Sequence, residues 1–317
     1  MILALRALGV GDLVTAVPAL RGLRAAFPDR VLALAAPRWL APLVRLVGDV
    51  DRLIPVAGLG PYRWPGPAPL LAVNLHGRGP QSHRLLSAAH PRRMLAFACP
   101  AAGHRDGPPW SESEHEVHRW CRLLHWYGIP ADPADLGLRR VDPGRVPVGA
   151  TIVHPGGKGA RRRWPPERFA AVAGELARDG HRVLVTGSAA ELGLAVRVAA
   201  QAGLGPDAVL AGRLGLAELA ALIAHARLVI STDTGVGHLA TAYRTPSVLL
   251  FGPTSPRRWG PPPDRPWHRV LWRERLADHR VPDDVAHPAL AAIGVDEVLA
   301  AAAQAVRQAV RDAAAPQ

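Results

Sequence analysis

The sequence is poor in cysteine, aromatic residues and lysine, and it has no long apolar run. No uncharged stretch in the 317 residues reaches the roughly 18 residues needed to cross a bilayer, which excludes an integral membrane protein. The two cysteines, Cys99 and Cys121, fit no zinc-binding or C-x-x-C spacing and indicate a reducing, cytoplasmic environment. Aromatic residues make up 5% of the chain, so few side chains are available to stack on single-stranded nucleic acid.

Positive charge is in excess and is spread along the whole chain. There are 38 basic residues against 26 acidic ones, giving a formal net charge of +12, and Lys158 is the one lysine among the arginines. Without a basic tail or block, this charge suits a phosphorylated substrate or an anionic surface as well as nucleic acid. A nucleic-acid-binding module with steep salt dependence is therefore an alternative, but the scarcity of aromatic residues disfavours it, and we expect no nucleic-acid partner.

Short apolar strands alternate with amphipathic helices in two successive series. This alternation predicts an α/β protein with parallel sheets covered by helices on both faces, that is, a doubly wound architecture. A Pro- and Gly-rich stretch, Arg140–Gly149, separates the two series. A second such stretch, Gly252–His287, is predicted to be an irregular surface loop. We therefore predict three parts: Rossmann-like domains over residues 1–145 and 146–295, and a helix over residues 296–317 that packs back on the first domain.

The first predicted strand runs into the sequence GVGD (residues 9–12), directly before a helix with apolar periodicity. Ligands bind at the carboxyl ends of parallel strands, and glycines there allow close approach to the backbone. A dinucleotide fingerprint does not fit, because Val14 occupies the third glycine position and Ala35-Ala36-Pro37 lacks the ribose-binding acid. Asp12 is either an N-cap of its helix or a carboxylate that acts as a general base.

The second domain opens with a strand followed by HPGGKGARRRWPPE (residues 154–167). Four cations within six residues, Lys158 among them, follow a pair of glycines at the carboxyl end of this strand. The segment is either a solvated charged loop or a clamp that neutralises a diphosphate. The spacing G-x-x-x-x-G-K-[ST] is not present, so the segment is not a Walker A loop.

Two further segments end predicted strands. STDTGVGH (residues 231–238) joins a buried strand to a helix, where free backbone N–H groups and the helix dipole favour phosphate. Its Ser, Thr and Asp are also ordinary N-cap residues, and His238 either faces a ligand or is a buried structural histidine. NLHGR (residues 74–78) ends a strand of the first domain, where an acceptor molecule has room to dock.

Three blocks of the chain together resemble glycosyltransferase family 9, the ADP-heptose:lipopolysaccharide heptosyltransferase group. They are ILALRALGVGDLVTAVPALRGLRAAFP, HPGG…RRRWPPERFAAVAGEL and STDTGVGHLATAYRTPSVLLFGPTSPRRWGP, in this order over most of the chain. The resemblance implies a GT-B fold, in which two Rossmann-like domains face a cleft. It also implies an inverting, metal-independent transfer of a sugar, foremost heptose from ADP-heptose, to a lipopolysaccharide core, another glycan or a small-molecule acceptor. The implied enzyme uses no cofactor and is cytoplasmic or peripheral to the cytoplasmic membrane.

The resemblance also implies roles for individual residues. Asp12 matches the presumed base, Lys158 and Arg162 match the basic phosphate contact, and Glu191 in TGSAAELG resembles the acid that holds the nucleotide ribose. The remaining candidates are listed by side: Asp233, Thr234, Gly235 and His238 for the sugar and diphosphate, and Gly9, Gly11, His76 and Arg78 for the acceptor. No D-x-D metal motif is present, and the cations can neutralise a leaving diphosphate without Mg²⁺. A nucleotide-sugar 2-epimerase of the same fold is the alternative enzyme.

Overall fold

The computed structural model describes residues 1–314 and divides the chain into two compact units. Unit 1 is Met1–Arg139, and unit 2 begins at Arg140. Each unit is built on a five-stranded sheet in which every pairing between named strands is parallel. Unit 1 thus ends at Arg139 rather than at the predicted residue 145. The predicted doubly wound α/β architecture with two Rossmann-like domains is confirmed.

Unit 1 contains five strands and five α-helices. They are β1 (Ile2–Leu5), α1 (Val10–Thr15), α2 (Val17–Ala26), β2 (Leu32–Ala36), α3 (Ala41–Val47), β3 (Arg52–Pro55), β4 (Leu71–Asn74), α4 (Gln81–Ser87), β5 (Arg93–Leu95) and α5 (Glu116–Trp126). The strand order is β3-β2-β1-β4-β5, so β1 is central. Every residue of β1, β2 and β4 is buried, as expected for strands covered on both faces.

Unit 2 repeats this plan with five strands and more helices. They are β6 (Thr151–His154), α6 (Pro166–Arg178), β7 (Val183–Val185), α7 (Leu192–Gln201), α8 (Leu216–Ala224), β8 (Leu228–Thr232), α9 (Gly235–Tyr243), β9 (Ser247–Phe251), α10 (Pro256–Trp259), β10 (His268–Trp272), α11 (Pro288–Ala291) and α12 (Val295–Ala314). The strand order is β10-β9-β8-β6-β7. Within residues 1–314, no helix is both long and apolar enough to cross a membrane.

Strand β10 corrects the prediction that Gly252–His287 is an irregular loop throughout. It pairs in parallel with β9, from His268 opposite Ser247 to Trp272 opposite Phe251. β10 is an edge strand, and only its first residue is buried. Its sequence, HRVLW, therefore lacks the continuous apolar run that identified the central strands.

The last helix also departs from the prediction. It was expected to pack on the first domain, but Val298, Ala301, Ala302 and Ala305 belong to the hydrophobic core of unit 2. There the helix α12 contacts α6 and the strands β8, β9 and β10. Its apolar stripe is thus used within the unit to which it is joined. Residues 315–317, which the prediction included in this helix, lie outside the described residues.

Candidate active site

The strand order of each sheet creates one place where a ligand can enter between loops. In unit 1 the chain leaves β1 towards β2 on one side, while β4 lies on the other side. In unit 2, β6 stands in the same relation to β7 and β8. Loops at such a switch point diverge and leave a crevice at the carboxyl ends of the strands. The predicted site segments follow β1, β4, β6 and β8, so each unit gathers its candidates at its own switch point.

Asp12 lies in the first turn of α1 and is partly exposed. Its Oδ2 accepts a hydrogen bond from the Gly9 backbone N–H at 3.1 Å, so the side chain closes the turn that begins the helix. Its Oδ1 lies 3.3 Å from Arg6 Nη2, and 26% of the side chain remains exposed. Gly9 is the N-cap and Gly11 is in the first turn. Asp12 is therefore not the N-cap, which is Gly9; its carboxylate accepts the Gly9 N–H from three residues later and stays partly accessible.

Arg6, directly after β1, is almost completely buried and supports Asp12 from below. Its Nε donates to the Asp12 carbonyl oxygen at 2.9 Å, and its Nη1 donates to the Leu75 carbonyl oxygen after β4. Its Nη2 also meets Glu116 Oε1 at 2.8 Å. The guanidinium lies over the Trp120 ring, 4.6 Å from its centroid. A buried arginine needs such a set of acceptors, because an unpaired buried charge is strongly unfavourable.

His76 stands after β4 and is neutral at physiological pH. Burial is the main reason that its pKa falls to about 4; the positive charge of Arg6 lowers it further, and the negative charge of Asp12 opposes the shift. Its Nδ1 accepts the Ala7 backbone N–H at 3.2 Å, so the ring proton resides on Nε2. The other acceptor-side candidate, Arg78, is exposed and pairs with Glu112 at 3.1 Å.

Glu191 fixes the glycine pair after β6 by a hydrogen bond. One carboxylate oxygen, Oε1, accepts the Gly157 N–H at 2.8 Å. The other, Oε2, accepts the backbone N–H and the hydroxyl of Ser188 at 2.8 and 2.9 Å. A Cβ on Gly156 would stand 2.5 Å from Glu191 Oε1, so a side chain there would displace the carboxylate from its hydrogen bonds. Glu191 thus has a structural role that the sequence did not predict.

The charge of Glu191 is stabilised by these hydrogen bonds. Burial raises its pKa, but the backbone N–H groups of Ser188 and Gly157 outweigh that effect, and the net shift is below the usual value. Behind it, His154 forms a hydrogen bond through Nδ1 with the Thr186 hydroxyl at 3.0 Å. Burial lowers the pKa of His154 to about 4, against the opposing charge of Glu191. This edge of unit 2 therefore carries an ionised carboxylate and a neutral histidine.

The four cations of the β6 loop have different surroundings. Lys158 is exposed to solvent. Arg162 donates to the Thr254 hydroxyl after β9 at 2.8 Å. Arg163 turns back to the Gly157 carbonyl oxygen at 2.9 Å, and Arg161 pairs with Asp283 at 3.2 Å. Lys158 and Arg162, the two predicted phosphate contacts, are therefore the two cations of this loop that neither pair with a carboxylate nor hold the glycine turn in the described contacts.

The segment after β8 begins helix α9. Thr234 is its N-cap, and its hydroxyl forms a hydrogen bond with Ser231 at 2.8 Å. Gly235 is the first helical residue. His238, one turn later, places Nε2 3.9 Å from Asp233 Oδ1, and its ring meets Trp259 edge-on at a centroid distance of 5.8 Å. The predicted cluster of Asp233, Thr234, Gly235 and His238 is therefore brought together at one strand end.

Comparison with known proteins gives this arrangement a family. A family model described as glycosyltransferase family 9 (heptosyltransferase) matches residues 110–282, which is more than half of the 317 residues. The chain belongs to glycosyltransferase family 9. The resemblance drawn from the three sequence blocks is thereby confirmed.

This family 9 chain is similar to proteins of lipopolysaccharide synthesis. It is 37% identical over 160 residues to lipopolysaccharide heptosyltransferase 1 of Pseudomonas aeruginosa, covering 48% of this chain and 44% of that protein. It is 29% identical to lipopolysaccharide heptosyltransferase 3 of Escherichia coli over 52% of this chain and 53% of the relative. The chain thus spans about half the length of these curated relatives.

A solved structure covers nearly the whole family 9 chain. It is that of the E. coli ADP-heptose lps heptosyltransferase II, with a TM-score of 0.78 and 22% identity, covering 98% of this chain and 99% of that one. At this identity the similarity establishes the fold, and the predicted GT-B class is confirmed.

Arg6 and Glu116 are the site residues that reading the sequence did not single out. Arg6 was visible as a charge at the end of an apolar strand, where a buried cation is unusual. Glu116 is 110 positions away and belongs to a helix rich in charged residues, so nothing local marks it as a partner. Among residues 1–314, no group of three or more His, Cys, Asp or Glu side chains is arranged to hold a metal ion.

Proposed function

We propose that this chain is an inverting glycosyltransferase that moves heptose from ADP-heptose to a hydroxyl of a lipopolysaccharide core or another glycan. The observation that carries the proposal is the complementary chemistry of the two switch points. Unit 1 presents a partly exposed carboxylate, Asp12, fixed by a buried arginine. Unit 2 presents Lys158, Arg162 and the start of α9 at the ends of β6, β8 and β9. A base for the acceptor and a cradle for an anionic leaving group are the two needs of this reaction.

Unit 2 is the donor side in this proposal. Lys158 and Arg162 neutralise the diphosphate, and the N–H groups at the start of α9 donate to its oxygens. Asp233 and His238 contact the sugar in this proposal. Glu191 already accepts three hydrogen bonds, but a carboxylate has about four acceptor positions, so Oε1 retains capacity for a ribose hydroxyl.

Unit 1 is the acceptor side. The acceptor hydroxyl gives its proton to Asp12 while its oxygen attacks C1 of the sugar from the face opposite the nucleotide. The bond from C1 to the phosphate oxygen breaks, and its electron pair leaves with ADP, which inverts the configuration at C1. His76 offers its Nε2 proton as a hydrogen-bond donor to an acceptor oxygen, because its Nδ1 is occupied by the Ala7 N–H. Gly9, Gly11 and Arg78 complete the acceptor side.

The proposal includes neither a metal ion nor a cofactor. The positive charge that a metal would place on the departing diphosphate comes from Lys158, Arg162 and the α9 dipole. We therefore expect EDTA to leave the transfer rate unchanged and added Mg²⁺ not to increase it. We also propose that the enzyme is cytoplasmic and meets a lipid-linked acceptor at the membrane surface, which co-sedimentation with acceptor-containing vesicles would test.

The deciding experiment measures nucleotide preference first and transfer second. Calorimetry with ADP, UDP and GDP should show tightest binding of ADP; preference for UDP or GDP would contradict the heptose donor. Incubation with ADP-heptose and a truncated core acceptor should then yield ADP and a glycosylated acceptor in equal amounts. An isomerised sugar released from the donor alone would instead indicate the epimerase alternative.

A further inference from the structure

We propose that Arg6 and Glu116 are positioning residues that aim the Asp12 carboxylate and fix the charges around it. This inference deepens the proposed function, because it concerns the carboxylate that accepts the acceptor proton. Neither residue is accessible to a substrate, because Arg6 is 1% exposed and Glu116 is 4% exposed. Both act through Asp12.

The guanidinium of Arg6 is fixed by acceptors on four residues of unit 1. Nη2 faces Asp12 Oδ1 and the Thr15 hydroxyl, both at 3.3 Å, and Glu116 Oε1 at 2.8 Å. Nε donates to the Asp12 carbonyl oxygen, and Nη1 donates to the Leu75 carbonyl oxygen. Since the group is planar and stacked on Trp120, it cannot turn without breaking several of these bonds. Asp12 is therefore held at both its carbonyl and its carboxylate, with Oδ2 held by Gly9.

Glu116 takes the larger share of the Arg6 charge. Its Oε1 lies 2.8 Å from Arg6 Nη2, whereas Asp12 Oδ1 lies 3.3 Å away. Glu116 is itself held by Arg119 through a salt bridge and by the Trp120 indole N–H at 3.0 Å. Arg6 is therefore shared between two carboxylates and is not paired with Asp12 alone.

The charged and titratable groups around Asp12 come from three elements besides its own. Arg6 follows β1. Glu116 and Arg119 lie on α5, where the negative Glu116 stands between the positive Arg6 and the positive Arg119. His76 follows β4 and is neutral over the working range, because burial lowers its pKa to about 4. Below pH 4 it would add positive charge beside Asp12. Within the physiological range, the charges that reach Asp12 through this chain of ion pairs are therefore those of Arg6, Glu116 and Arg119.

The arrangement predicts shifts of opposite sign for two variants. In Arg6→Gln the positive neighbour of Asp12 is lost, while Glu116 keeps its salt bridge to Arg119, so the acid limb of the pH profile should move up by about one pH unit. In Glu116→Gln a negative neighbour is lost and Arg6 acts on Asp12 alone, so the acid limb should move down. A purely structural role would lower stability in both variants without opposite shifts.

The test is a carbon-13 NMR titration of labelled aspartate carboxyls, with Asp12→Asn to identify the Asp12 resonance, alongside pH profiles of kcat/KM. Opposite displacement of the Asp12 midpoint in Arg6→Gln and Glu116→Gln would support the inference. Arg6→Lys keeps the positive charge but loses the several N–H donors of the planar guanidinium. The Asp12 midpoint should therefore stay close to that of the wild type while kcat falls. As a matched control, Arg21→Gln removes an arginine that bridges Asp49 and Asp135, and it should leave the Asp12 midpoint in place.

The outcomes separate this inference from the proposed function. The titration needs no acceptor, so unmoved midpoints, or midpoints moving in the same direction in both variants, overturn the positioning pair even if transfer is observed. Conversely, opposite midpoint shifts in a protein that transfers no sugar would uphold the pair and contradict the proposed function. If Arg6→Gln does not fold, the near-isosteric Glu116→Gln decides alone, because a midpoint that fails to move down refutes the sharing of Arg6.

Discussion

Replacing Gly156 by alanine should damage the donor side through one specific contact. The new Cβ would lie 2.5 Å from Glu191 Oε1 and 2.7 Å from its Cδ and Oε2. Ordinary contact begins near 3.4 Å, so the carboxylate would have to retreat by about 1 Å. Such a retreat would stretch the 2.8 Å hydrogen bond to the Gly157 N–H beyond hydrogen-bonding distance.

The cost follows from these two effects. Overpacking a filled site by one methyl group costs about 1–3 kcal/mol, and a partly buried N–H that loses its partner adds to that. We expect the free energy of unfolding of unit 2 to fall by about 2 kcal/mol. Because Gly157 and Lys158 move with the loop, ADP should bind more weakly as well.

Chemical denaturation followed by circular dichroism, in four variants, tests the reasoning. Gly156→Ala should be costly in the wild-type background and cost less than about 0.5 kcal/mol in a Glu191→Ala background, where the obstacle is gone. Gly193→Ala is the matched control, because a Cβ there meets nothing within 4 Å. As a helix substitution it should be neutral or stabilise by up to about 1 kcal/mol. An equal cost of Gly156→Ala in both backgrounds would refute the role assigned to Glu191.

Three further changes have defined outcomes. Asp12→Asn should leave ADP affinity intact and lower kcat by about 10²–10⁴-fold, and retained turnover would remove Asp12 as the base. Lys158→Ala or Arg162→Ala should each weaken ADP binding by about tenfold or more in calorimetry, while Arg178→Ala, which removes an exposed cation paired within its own helix, should not. Burial keeps His154 neutral by lowering its pKa from 6.5 to about 4. The unfolded state therefore binds the proton first, and the free energy of unfolding should fall as the pH drops from 6.5 towards 4, by about 2 kcal/mol at pH 5. His154→Asn should flatten that slope in denaturant titrations, and an unchanged slope would show that this histidine is not its source.

The fold could be predicted because its central elements carry strong local patterns. Buried parallel strands are continuous apolar runs, and helices such as α6 bury one apolar face at helical spacing. The pattern fails where burial is partial. Only the first residue of β10 is buried at the sheet edge, so the sequence of this strand resembles that of an irregular loop. The sequence could not predict which unit α12 packs against. An apolar stripe shows that a helix is buried on one face, but it does not identify the surface that covers that face.

The candidate site also contains residues that local motifs reveal and residues that only long-range contacts reveal. The sequence singles out Asp12, Lys158 and the segment from Asp233 to His238 because each follows a predicted strand end in a short motif. Their supports are long-range: Glu116 reaches Arg6 across 110 residues, and Glu191 reaches Gly157 across 34. Such contacts depend on which strands are neighbours in the sheet, and no single segment of the sequence determines the strand order.

Glu191 shows why a motif identifies a residue more readily than its task. The family resemblance implies a ribose contact for it, and the structure adds hydrogen bonds to Ser188 and to the glycine turn that precedes Lys158. A carboxylate that holds the phosphate loop and also contacts the nucleoside would link the two halves of donor recognition. Loss of Glu191 should then weaken binding of ADP and also of inorganic pyrophosphate, which has no ribose, because the loop itself is released. If Glu191→Ala weakened ADP binding and left pyrophosphate binding unchanged, the ribose contact alone would account for its role.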